Sequence, residues 1–400
     1  MLMQLGVEIE VKGQITRSDV EQMLAHLVRR WPTLGQRLRQ QLFGLSWDGE
    51  CRTREMLKVA EGRESLAEWR NRPINPFIEP PFQLLWIVDG DTNVFAFRAH
   101  HAVVDGEGFF AIASESLRKL VSLETMDSGD AQKTSRETSV TKAFQNLQEL
   151  RRSQPSARVA VRSCSPGDTS VVERDLEKDE FREFKRQASA SGIAPGWLCA
   201  SAWMRAIHAW NKSRGSASTS VISIEVPVSL RRRRDGGIRM GNWISPLTLY
   251  GDASQPLEVL AIELKQQMSR AVRQRMHMAL PMLAAPAKSL PWPIFRKLVD
   301  NPELTGVATS HFAWFEQPGT LHDDVFRQSG GALQVLDQRI YTPVCLHMGA
   351  AMSVVAWPER AQIFITHRLT ALTNADANLL ADLVEQELGQ KHVSRQQVAV

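Results

Sequence analysis

The chain is poor in the residues that mark the commonest kinds of site. Only four cysteines stand among 400 residues, Cys51, Cys164, Cys199 and Cys345, and none are spaced as a Cys-x-x-Cys pair. That excludes a zinc ribbon and a disulfide framework, and the four read as reduced packing residues. No Gly-x-Ser-x-Gly elbow occurs, so the signature of an α/β-hydrolase nucleophile is missing. No apolar run approaches the ~20 residues of a membrane helix. The start of the chain has neither a basic flank nor an apolar signal core. A cytoplasmic protein without a membrane span is therefore expected. Arginines form one dense block, Arg231 to Arg234, whereas a nucleic-acid site needs several such clusters with aromatics between them. No nucleic-acid partner is expected, and a net charge of +4 suits an anionic partner without choosing one.

What is present describes a large globular α/β protein. Hydrophobic content of 43% against 23% charged residues is enough for a sizeable core. Alternation predicts a strand over 4–11, and Thr16 or Ser18 can cap the helix that follows. That helix carries Val20, Met23, Leu24, Leu27 and Val28 at 3–4 spacing and stops before Pro32. His26, within it, is read as solvated surface. Two apolar runs flank Asp89-Gly90-Asp91 and predict a hairpin ending at His100, followed by a helix from Phe109 to Leu120. Residues 122–158 are polar and predict a mobile loop with a short helix over 141–152. The boundary between halves falls here, giving an N-terminal lobe over 1–160 and a C-terminal lobe over 161–400. The second half predicts a strand over 170–176, helices over 180–189 and 193–210, and a strand over 221–230. His208 and the tryptophans of 193–210 are read as packing. A helix over 256–278 precedes a proline-rich stretch, and strands over 341–357 and 360–369 form a hairpin before a terminal helix over 374–388.

The most informative stretch is His100-His101-Ala102-Val103-Val104-Asp105-Gly106, where a mostly buried strand ends and a loop begins. A residue there is held rigidly yet can reach substrate. Successive strand side chains point to opposite faces, so the two histidines cannot easily share a metal ion, and none is expected. A neutral imidazole acting as general base remains, beside the plainer reading of two packed histidines next to a turn aspartate.

The pattern His-His-x-x-x-Asp-Gly resembles the signature of the chloramphenicol acetyltransferase-like superfamily, which includes the condensation domains of peptide synthetases. Other stretches resemble that family in the same order: the opening helix to Leu34, the helix pair broken at Gly192, Pro227-Val228 with Arg231, Gly241-Asn242 before a strand, and the C-terminal hairpin and helix. Relatives often carry a longer segment before the first strand. The resemblance implies an α/β (α+β) fold of two chloramphenicol acetyltransferase-like lobes, a V-shaped pseudo-dimer with the site in the inter-lobe cleft. It makes His101 the catalytic base and has Asp105 hold the loop through Arg231, with His100 and Gly106 supporting. Ser310, His311 and Asn242 are candidate oxyanion or substrate contacts. His311 stands where the family commonly has Asn, and Ser310 is either a hydroxyl donor or a plain strand residue. The expected function is that of a free-standing, monomeric acyltransferase of lipid or secondary metabolism. It would move an acyl group from CoA or from a carrier protein's phosphopantetheine to a small hydroxyl or amine acceptor, with no permanently bound cofactor. The alternatives are an inactive module that docks carrier proteins, and a stereochemical or dehydrating variant of the same fold in which His101 abstracts a different proton.

Overall fold

The computed structural model of the protein describes residues 4–41, 44–121, 145, 156–163, 165, 167–216, 218–231, 240–279, 281–282, 290–291, 293–294, 310–316, 329–342 and 348–389. The first lobe opens with strand β1 (Gln4–Lys12) and helix α1 (Arg17–Arg30). Of the two candidate caps, Thr16 takes the role: its side chain accepts from the Asp19 N–H, and the Asp19 side chain closes a capping box. The five apolar positions read from the spacing are the buried stripe of α1. A small hairpin of β2 (Arg37–Gln40) and β3 (Leu45–Asp48) follows, then α2 (Thr53–Met56), β4 (Leu57–Glu61) and α3 (Ser65–Asn71). Strands β5 (Phe82–Asp89) and β6 (Thr92–His100) form the expected hairpin, and α4 (Gly106–Leu120) leaves the histidine loop. Helix α4 starts three residues earlier than apolar periodicity indicates, because Asp105 caps it. Helices α1 and α4 cover one face of the sheet, where Phe95, Phe97 and Ala99 point. Trp69 of α3 covers the other, against Val94 and Ala96.

The second lobe contains β7 (Thr169–Leu176), α5 (Lys178–Ala190), α6 (Pro195–Ser213), β8 (Val221–Ser229), β9 (Ile244–Asp252) and α7 (Leu257–Arg273). The chain then runs through β10 (Ser310–Glu316), β11 (Gln334–Tyr341), β12 (Ala350–Ala356), β13 (Ala361–Arg368) and α8 (Asn374–Glu387), all but β11 belonging to this lobe. Six strands form its sheet in the order β7-β13-β12-β10-β8-β9, with β10 parallel to β8 and β12. Every residue of β12 and β13 is buried. Their side chains divide between two cores: Met352, Val354 and Ile363 pack with α6 and α8, while Val355 and Phe364 join the core of the first lobe. A sheet covered on both faces needs an unbroken apolar run, which is what these strands have.

The hairpin expected from 341–369 is narrower than the sequence indicated, since β12 pairs with β13 and Tyr341 belongs elsewhere. It ends β11, which pairs antiparallel with β1 and completes the first sheet in the order β11-β1-β6-β5-β4. The second half of the chain thus lends a strand to the first lobe. Chain entry into the second lobe also precedes residue 160, because Ala157 bridges to Ile222 and Val159 lies in the second core. The helix expected over 141–152 lies outside the described residues, Gln145 excepted.

The surface role expected for His26 is overturned. Its Nε2 lies 3.2 Å from Oε1 of Glu115, to which Arg30 Nη1 also donates at 2.7 Å. Glu115 is fully buried on α4, and a buried carboxylate draws in whatever cations its neighbour helix offers. Glu115→Ala should destabilise the protein by about 3–5 kcal/mol in chemical denaturation, because Arg30 would keep a buried charge without its partner. A loss under about 0.5 kcal/mol would show that this pairing is incidental.

Candidate active site

β6 carries the chain to His100, and β1 runs beside it with Gln4 opposite His100 in register. His100 Nδ1 accepts from the Ala102 N–H at 3.1 Å, and the Val103 N–H donates to the His100 carbonyl at 3.0 Å. These contacts turn the chain sharply and carry His101 off the sheet. His101 is 7% exposed, and its Nδ1 is buried without a hydrogen-bond partner. Burial holds its pKa below the ordinary 6.5, and the nearby His311 pushes the same way against the pull of Asp105. His100 is pushed down to about 4, first by burial and then by His101. Both imidazoles are neutral at pH 7.

Asp105 fixes the loop. Its Oδ1 accepts from the Gly108 N–H at 2.9 Å, and its Oδ2 accepts from Arg231 Nη1 at 2.6 Å and from the Trp243 N–H at 2.7 Å. The last two donors belong to the second lobe and flank the β8–β9 connection. Gly241 adds an N–H to the Val103 carbonyl at 2.8 Å, so backbone as well as side chain spans the gap. Gly106 has a steric role. A Cβ there would sit 3.2 Å from the ring of Phe315 on β10, and that ring packs at a tilt against Phe110 at a centroid distance of 5.2 Å. Only glycine lets β10 approach this closely without displacing the ring.

The three remaining candidates fall differently. Ser310 is buried at the start of β10. His311, one residue on, is mostly buried and has Nδ1 3.8 Å from Oε1 of Glu225, its register partner on β8. Asn242 is exposed and its Oδ1 accepts from the Ile244 N–H at 3.3 Å, a local turn contact. The structure therefore brings His101, Asp105, Arg231 and His311 to one inter-lobe site, with Asn242 at its edge. Glu225 was missed by sequence reasoning, although a lone carboxylate in the apolar run 221–230 was a visible signal. Arg232 to Arg234 lie outside the described residues. Among the described residues no group of three His, Cys, Asp or Glu side chains could hold a metal ion, and no helix is long and apolar enough to cross a membrane.

No model of a known protein family matches the sequence, and no curated protein matches it. Solved structures do. The first condensation domain of the CDA synthetase is 14% identical, with 97% of this chain and 90% of that one covered and a TM-score of 0.71. The condensation domain from Monacolin K polyketide synthase MokA is 12% identical, with 97% and 91% covered and a TM-score of 0.68. The epimerization domain from the third module of tyrocidine synthetase B is 14% identical, with 97% and 90% covered and a TM-score of 0.64. Likeness at these identities defines the fold: the chain has the two-lobed condensation-domain architecture.

Two outcomes follow from the geometry. Asp105→Ala and Arg231→Ala should each cost on the order of 3–5 kcal/mol of stability, and Asp105→Ala/Arg231→Met should recover part of it. Additivity within about 0.5 kcal/mol in the double-mutant cycle would contradict direct coupling. Below pH 6.5 the unfolded chain takes up a proton at His100 that the folded chain refuses until about pH 4. Stability must therefore fall as the pH drops through that window. His100→Asn, which keeps an acceptor near Nδ1, should flatten the slope of melting temperature against pH between 6.5 and 4.

Proposed function

We propose that this chain is an acyltransferase that moves an acyl group from a thioester to a hydroxyl or amine acceptor. The observation that carries this reading is His101: a neutral imidazole at a strand end, buried between lobes and held by a loop clamped from both sides. Its Nε2 would take the proton of the acceptor's O–H or N–H as that atom attacks the thioester carbonyl. The resulting tetrahedral oxyanion collapses with cleavage of the C–S bond, and the imidazolium returns the proton to the departing sulfur. Atoms and charge balance with no covalent acyl-enzyme. Ser310 and His311, at the start of β10, are the side chains we assign to the oxyanion or substrate. Most of the acceleration would come from holding two reactants at one base, worth up to ~7–11 kcal/mol in favourable cases.

The donor is acyl-CoA or an acyl group on a carrier-protein phosphopantetheine, and the work belongs to secondary-metabolite or lipid assembly in the cytoplasm. Support for the secondary-metabolite context comes from the condensation-domain fold, which the matched domains of two synthetases and a polyketide synthase share. Those domains include an epimerization domain, so the fold does not by itself fix the reaction. A panel of labelled acyl-CoA and acyl-carrier thioesters, read by thiol release in the presence of hydroxyl and amine acceptors, tests the proposal. Absence of acceptor-dependent release across both panels would overturn acyl transfer and leave a docking module, or a variant of the fold in which His101 abstracts a different proton.

His101→Ala should lower acyl transfer by at least ~100-fold. The acid limb of kcat/KM should lie below pH 6.5, because the depressed pKa keeps the base neutral into mildly acidic solution. An acid limb at or above 6.5, or near wild-type turnover by His101→Ala, would remove His101 from the base role.

A further inference from the structure

Glu225 stands in the middle of β8, on the face that looks toward the first lobe. Ile222 and Ile224 are buried in the second core, and strand side chains alternate, so Glu225 takes the opposite face. Strand β10 repeats the pattern. Phe312 joins the second core, whereas Phe315 packs against Phe110 of the first lobe, and His311 shares the face of Phe315. β8 and β10 run parallel with Glu225 opposite His311, which sets the carboxylate beside the imidazole. His311 is in turn near enough to His101 for its charge to act on that residue's pKa. The carboxylate therefore shares the inter-lobe site with the base.

No fixed cation answers it. Among the described residues its one ion-pair neighbour is His311, with Nδ1 at 3.8 Å, beyond hydrogen-bond reach. An imidazole also carries charge only when it holds a second proton. Arg231 follows Glu225 by six residues, up to roughly 20 Å of extended strand. Its guanidinium is already taken by Asp105 and Glu107. The Glu225 side chain nonetheless keeps 21% of its surface open, so a ligand can reach it. Lodging a carboxylate in an apolar strand without a donor costs stability, and a bound cation would offset that cost. Among the described residues no three metal-ligating side chains converge, so an organic cation fits this donor set better than a metal ion.

We infer that Glu225 selects the acceptor: the acceptor bears an ammonium group separate from the atom that attacks, and Glu225 is its counter-ion. His101 then receives the proton of the attacking group while the charged end is held on β8. Calling the charged molecule an acceptor rests on the acyl-transfer reading. Both candidate donors carry phosphate, which a carboxylate repels, so the cation belongs to the other substrate. Neutral and anionic alcohols or amines of the same size are thereby disfavoured.

Three alcohols that differ in charge provide the test: 4-amino-1-butanol, its near-isostere 1-pentanol, and 4-hydroxybutanoate. Their affinities for wild type, Glu225→Gln and Glu225→Lys are titrated by saturation-transfer NMR at pH 8, above the ordinary imidazole range. Wild type should hold 4-amino-1-butanol at least ~10-fold more tightly than 1-pentanol, the lower range for a charged hydrogen bond. Glu225→Gln should bring that ratio close to one, and Glu225→Lys should turn the preference toward 4-hydroxybutanoate. Glu225→Gln is near-isosteric and decides the outcome if Glu225→Lys fails to fold. Equal affinities in wild type, or a ratio that survives Glu225→Gln, would overturn the role of Glu225. Where transfer is detected, kcat/KM for the three acceptors should follow the same order. A Glu225→Gln effect confined to the choice of acyl donor would also overturn it. If wild type transfers nothing yet the charge preference appears in binding, the acyl-transfer reading fails and Glu225 stands as an ammonium site.

Discussion

The carboxylate of Asp105 is the group on which the site depends. It is fully buried, and it accepts from the first turn of α4, from Arg231 and from the Trp243 backbone. A carboxylate in that position costs several kcal/mol to desolvate, and its contacts mainly offset that cost. What it provides is geometry. One side chain simultaneously starts a helix, closes the histidine loop and receives two donors from the other lobe. If any of the three were free to shift, His101 would lose its fixed place between β6 and β10.

The lobes are joined by more than this contact. Strand β11 leaves the second half of the chain and pairs along β1, with one register irregularity between Glu10 and Val11. Val355 and Phe364, from the second sheet, are buried in the core of the first lobe. Separating the lobes would expose those side chains and strip β1 of a hydrogen-bonding neighbour, so wide opening is opposed by apolar burial as well as by charge pairing. Motions around the inter-lobe site are therefore expected in the connections, with the sheets moving little.

Much of this was legible because local patterns carry it. The α1 stripe, the β5–β6 hairpin and the histidine loop each follow from spacing within twenty residues or so. Strand β11 was not, for two reasons. Gln334, Asp337, Gln338 and Arg339 dilute its apolar alternation, and its partner β1 lies more than three hundred residues upstream, where no local signal reaches. Glu115 shows the limit differently. It lies within the buried stripe of α4 between Ile112 and Leu117, a visible irregularity, yet only the packing of α1 against α4 reveals that His26 and Arg30 answer it. The pairing of Asp105 with Arg231 was implied by resemblance of the two segments; residue chemistry alone left Arg231 indistinguishable from the arginines after it. Glu8, which accepts from Arg70 and from the Tyr341 hydroxyl, draws its partners from two distant segments and gave no sequence pattern at all.

If His101 is the base of the proposed acyl transfer, burial of the histidine pair has opposite effects on its chemistry, and their balance says how such a site must work. Lowering the pKa of His101 favours the neutral imidazole at pH 7, which is the form a general base needs. The same shift makes it a weaker base, which reduces its thermodynamic pull on an acceptor proton. A site built this way gains little from basicity and must rely on placement, with acceptor and thioester fixed before the proton moves. The packing agrees with that demand. His101 projects from a strand end whose next five residues are held by backbone bonds, a helix cap and a cross-lobe ion pair. Burial brings a further advantage for thioester chemistry: water is a competing nucleophile, and an imidazole only 7% exposed offers it little access.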